Sequence, residues 1–134
     1  MKSYIFIIVF VSIIINVGMT QSPECIWAKS AGEAWDDIIT ASVMDDAGNL
    51  YVSGTFQGAD FPFDSCFFQH IWLHDILVAK LNKNGKVVWA RSFGGSGCDH
   101  CQGICTDING GLFVTGYFNS NNLVFGNDTL AAQQ

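Results

Sequence analysis

Residues 93–105 read FGGSGCDHCQGIC and gather three of the chain's five cysteines with one of its three histidines. Thiols and an imidazole at this density support three kinds of chemistry. Cys98 and Cys101 form a C-x-x-C pair, half of a zinc-ribbon ligand set, to which His100 or Cys105 would add a third ligand. The same pair would be a redox dithiol if it stood at a helix N-terminus beside a βαβ unit. In an oxidising compartment the thiols would close disulfides, with Cys25, Cys66, Cys98, Cys101 and Cys105 all candidate partners and one left over.

The metal reading lacks a second half. No other C-x-x-C or H-x-H occurs, and His70 and His74 fall in a separate insertion. The redox reading lacks a helix. Disulfides are therefore the leading expectation, and no metal or other cofactor is expected. The FGGSG stretch has neither the lysine nor the helix of a phosphate loop, and no Ser/His arrangement has the logic of a catalytic triad. No catalytic residue is expected.

The segments that must carry this cluster come from an internal repeat. Residues 27–68 laid over 89–130 at an offset of 62 match at twelve of 42 positions without a gap, among them Trp27/Trp89, Asp37/Asp99, Asp45/Asp107, Gly54/Gly116 and Phe63/Phe125. Leu50, Val52, Gly54 and Phe56 recur at period two with Leu112, Val114, Gly116 and Phe118, which marks one held face of a strand. The alternate positions, Tyr51, Ser53, Thr55 against Phe113, Thr115, Tyr117, are semi-polar to aromatic, so both faces are expected to be partly covered. DDAGN (45–49), NKNGK (82–86) and DINGG (107–111) are turns: an Asp or Asn at the first position accepts from amides ahead of it, and Gly closes the hairpin. Each unit thus has two hairpins and four strands, with a variable insertion at 61–74 in the first copy.

The cysteines are not part of that design, because Cys98, Cys101 and Cys105 stand opposite Asp36, Ile39 and Val43. Asp36, Asp37, Asp45 and Asp46 offer calcium-type oxygens but lack the alternating D-x-D-x-D-G spacing, and the turns account for Asp45 and Asp107. Asp37 and Asp99 follow the Gly-rich link, where a carboxylate would cap amides between units. Trp27 and Trp89, being matched, are expected to pack; Trp35 and Trp72 are unmatched and remain open as ligand platforms.

A four-stranded unit of about 62 residues in tandem is a β-propeller blade. The pattern from WAKS (27–30) through DDAGNLYVSGTF (45–56), DILVAKLNKNGKVVWARSFGGSG (75–97) and NGGLFVTGYF (109–118) resembles the SBBP, or seven-bladed beta-propeller, repeats of bacterial exported proteins, especially those of Bacteroidetes. The resemblance implies an all-β propeller fold and no defined catalytic residues. Propellers close with about four to eight blades, so the chain is expected to be an incomplete propeller, with further blades in a missing C-terminal part.

Lys2 and the apolar run 4–17 read as a signal peptide over 1–20, followed by a first repeat at 21–88 and a truncated second at 89–134. Its removal leaves five Lys and Arg against twelve Asp and Glu, a net charge of −7. With no basic cluster, nucleic acid is not an expected partner, nor is a membrane after cleavage. The expectation is an exported, non-catalytic surface module that binds a protein or carbohydrate. A cysteine-cluster metal module and a fragment of a propeller hydrolase or lyase are the alternatives.

Overall fold

The computed structural model describes residues 25–32, 36–58, 60–69 and 73–132. The proposed signal peptide, His70, Trp35 and Trp72 lie outside the described residues. Every regular element among those described is a strand: β1 (Ile38–Met44), β2 (Leu50–Gln57), β3 (Asp60–Phe63), β4 (Cys66–Gln69), β5 (His74–Leu81), β6 (Val87–Phe93), β7 (Asp99–Thr106), β8 (Leu112–Phe118), β9 (Asn122–Phe125) and β10 (Asp128–Ala131). No helix among them is long and apolar enough to cross a membrane. The all-β expectation holds.

Strands β1, β2, β5 and β6 form one antiparallel sheet in that order, the meander of a propeller blade. The three turn motifs fold as read. Asp45 Oδ1 accepts from the amides of Ala47 (3.0 Å) and Asn49 (2.8 Å), Asn82 Oδ1 from those of Asn84 and Lys86 (3.0 Å each), and Asp107 Oδ1 from those of Asn109 (2.8 Å) and Gly111 (2.6 Å). Each turn ends on a glycine with φ between 76° and 82°, a conformation that costs a β-carbon dearly.

Between β2 and β5 the chain makes a small hairpin, β3–β4, and here the expectation of a variable insertion is corrected. The second copy has the same hairpin at the same offset: Asp60 pairs with Gln69 and Phe63 with Cys66, as Asn122 pairs with Ala131 and Phe125 with Asp128. Its turn is left-handed at Asp64 (φ 59°) and at Gly126 (φ 66°). What varies between the copies is side-chain chemistry, while backbone geometry is repeated. The irregularity in β1 between Ile39 and Ala41 also recurs 62 residues on, between Cys101 and Gly103 in β7.

The two faces of the first sheet bury different sets of residues. On one face Phe56, Leu77, Ala79, Leu81 and Val87 pack with Phe63 and Phe68 of the hairpin and with Trp27, Leu50 and Val52. On the other, Ile76, Val78, Trp89 and Phe93 meet Cys101, Ile104, Leu112 and Val114 of the second copy. Trp27 therefore lies over the Leu50/Val52 face as Trp89 lies over the Leu112/Val114 face. Both tryptophans pack, as their matched positions predict. Trp27 Nε1 also donates to the Lys83 carbonyl at 3.1 Å, and Lys29 Nζ pairs with Asp64 at 3.2 Å, which ties this leading segment to the sheet it covers.

Candidate functional site

The link from β6 to β7 carries the thiol and imidazole groups, and the backbone around it is held closely. Val124 N donates to the Gly94 carbonyl (3.3 Å), Asn119 N to that of Cys98 (3.0 Å), and Gly97 N to Ser120 Oγ (2.8 Å). A β-carbon on Gly94 would run into the Asp75 carboxylate, so this connector is glycine-rich for close approach rather than for phosphate. Phe93 stacks on Phe125 at 3.8 Å between centroids, which docks the β9–β10 hairpin on the end of β6.

Asp99, fully buried, starts β7. Its carboxylate accepts from the amides of Asn119 (3.1 Å) and Ser120 (3.2 Å) and from the Ser120 hydroxyl (2.6 Å). Asp37 accepts from Gln57 N at 3.1 Å, the equivalent position in the first copy. These aspartates cap amides as expected, but within one repeat. For Asp99 the expectation of a cap between units is corrected, because the amides and hydroxyl it accepts from follow β8, the strand paired with its own.

The three clustered cysteines diverge. Side chains on a strand alternate between faces, so Cys98 and Cys101, three apart, do not share one, and the irregularity between Cys101 and Gly103 shifts the phase so that Cys105, four residues on, leaves the face of Cys101. Cys101 is 1 % exposed in the core between the copies, and its thiol donates weakly to the carbonyls of Gly103 and Thr115 at 3.6 Å. Cys105 pairs with Phe113 and is exposed, as is Cys25. Cys66 packs against the cluster around Phe56. All five are free thiols in this structure.

Two residues apart, by contrast, Cys98 and His100 fall on the same side, and a third group joins them from the first copy. His74, the first residue of β5, brings its imidazole within 4.8 Å of the ligand atoms of Cys98 and His100. Its ring centroid lies 5.1 Å from that of His100, which in turn stacks on Tyr117 at 4.8 Å. His74 Nδ1 is buried and without a hydrogen-bond partner among the described residues. Burial and, after it, the neighbouring His74 hold the His100 pKa below its ordinary value, with Asp99 acting in the opposite sense. Reading His74 as part of a separate insertion is corrected: it belongs to β5, and sheet stacking sets the start of β5 beside the start of β7. The usable spacing is Cys-x-His, with His74 supplied across the junction.

Residues 88–123, which run from β6 through the site into β9, match the family model of SBBP, the beta-propeller repeat. The chain carries an SBBP beta-propeller repeat. No curated protein and no solved structure matches it. Within the SBBP segment the glycines, Asp99, the Asp107 turn and Gly116 serve the backbone. Cys98 and His100 do not, because Asp36 and Ile38 occupy their places in the first copy.

Proposed function

We propose that this is an exported, non-catalytic propeller-repeat module which binds a protein partner through the β8 side of its second repeat. One observation carries the reading. Phe113 and Tyr117 on β8 are 56 % and 48 % exposed, and among the described residues β8 pairs with β7 alone, whereas its counterpart β2 also pairs with β5. An exposed aromatic pair on one strand face suits contact with a partner chain, because aromatic side chains bring a large contact area and are enriched in interface cores. The recurring residues support a non-catalytic role, since Trp27/Trp89, Asp37/Asp99 and Asp45/Asp107 are engaged in packing, caps and turns.

The test uses the hairpin that fills the equivalent edge of β2. A peptide of residues 74–93 is titrated calorimetrically into the full chain and into Phe113→Asp and Tyr117→Asp variants. Saturable binding that both charges weaken supports a protein partner. Absence of peptide binding, with saturable binding on a glycan array, would replace that partner with a carbohydrate. Export is checked by N-terminal sequencing of secreted material, which is expected to begin at Gln21.

A further inference from the structure

We infer that His74, Cys98 and His100 form a metal site that clamps the two repeats together, taking a borderline-soft divalent ion, Zn2+ in the first place. Two imidazoles and one thiolate are a donor set zinc favours. Their ligand atoms all lie within 4.8 Å of one another, and ligands on a tetrahedral zinc with bonds of about 2.0–2.3 Å stand roughly 3.3–3.8 Å apart. Closing the set takes about an ångström of side-chain rotation. The buried Nδ1 of His74, without a hydrogen-bond partner among the described residues, is an independent sign of a missing ligand, because burying such a nitrogen unpaired is costly.

The frame around the site is already rigid. His74 is held by its pairing with Gln57 at the head of β5, Cys98 by the bond from Asn119 to its carbonyl, and His100 by pairing with Tyr117. A bound ion would join β5 of the first sheet to β7 of the second, beside the contacts that Ile76 and Val78 make with Cys101 and Ile104. Three protein ligands leave a fourth position for water. Cys101 and Cys105 take no part, since one is buried in the core and the other faces solvent.

Cobalt titration of the full chain under reducing conditions tests this. One equivalent of Co2+ is expected to give the strong visible bands of a tetrahedral site together with a thiolate-to-metal charge-transfer band, both displaced by Zn2+. Cys98→Ser is expected to abolish the charge-transfer band. His74→Gln and His100→Gln are expected to abolish the tetrahedral bands, and Cys101→Ala and Cys105→Ala to keep the whole spectrum. Circular dichroism of each metal-free variant shows that it is folded, and Cys98→Ser, nearly isosteric, reports even where a histidine variant unfolds. A weak octahedral spectrum in the parent chain overturns the proposal, as does a charge-transfer band that survives Cys98→Ser or is lost only with Cys101 or Cys105.

Discussion

The two copies of the repeat share their backbone and differ in what covers it. Turn, strand irregularity, amide-capping aspartate and small hairpin recur 62 residues apart. Burial does not recur. Strand β2 is buried along most of its length, with Tyr51, Ser53, Thr55 and Phe56 all enclosed, while the matching residues of β8 are exposed or half-exposed. Local geometry therefore follows from each copy's own turns and caps, and the packing energy follows from the neighbouring sheet. The contrast also shows which side chains are available for contact: among the described residues Phe113 and Tyr117 of β8 are exposed where Tyr51 and Thr55 of β2 are buried.

The largest effect expected from this contrast is at a matched pair. Phe56 is wholly buried, so Phe56→Ala is expected to cost about 3–5 kcal/mol. Phe118→Ala, in the half-exposed equivalent, is expected to cost about 1–2 kcal/mol by the same argument from lost burial. Urea unfolding of both variants measures the difference, and equal losses would break the comparison. Next comes the junction. Zinc at a hundredfold excess over its Kd is expected to add about 2.7 kcal/mol to stability, an increment that EDTA removes and that His74→Gln lacks. Smaller again is the Asp99 cap: Asp99→Ala leaves the Ser120 amide and hydroxyl short of an acceptor, while Asn119 N keeps the Cys98 carbonyl, and is expected to cost about 2 kcal/mol, against about 1 kcal/mol for Asp37→Ala, which is less buried. Thermal or urea unfolding of the pair decides this, and the comparison fails if Asp37 proves the costlier.

The order of these effects reflects what was legible in the sequence. Leu50, Val52 and Phe56 announced a strand face by period two, and Asp45, Asn82 and Asp107 announced their turns, because both signals are local. The hairpin β9–β10 was obscured because its side chains share little with those of β3–β4 beyond Phe63/Phe125. His74 was obscured for a different reason. Its partners are 24 and 26 residues away in the chain, and only the stacking of two sheets brings them together. C-x-x-C drew the eye as a ribbon motif, yet a strand separates residues three apart, so the ligand pair with the right geometry was Cys98 and His100. A histidine at the head of the third strand of one blade, with Cys-x-His at the head of the next, is the signal that would have found the site.

The smallest expected effect compares two turns that differ by one charge. Asp45 and Asn82 make the same amide-capping turn, but Asp45 also receives the Asn49 side chain (2.8 Å) and faces Lys80 at 3.7 Å. The Asn49 hydrogen bonds are the main cause that lowers the Asp45 pKa below 3.8, with Lys80 contributing after them. A pKa lowered in the folded state gives stability that is complete above the unfolded value and is lost as the pH falls through the folded one. Asp45→Asn keeps the turn, as Asn82 shows, and removes the titration. The variant is expected to unfold close to the parent at pH 7, slightly earlier because the Lys80 pair is gone, and to lose less stability than the parent as the pH is lowered from about 5 to about 2. Urea midpoints across that range measure it. Parallel acid limbs for parent and variant would mean that the carboxylate acts in this turn only through its shape, and the turns at Asp45 and Asn82 would then be equivalent in energy as well as in geometry.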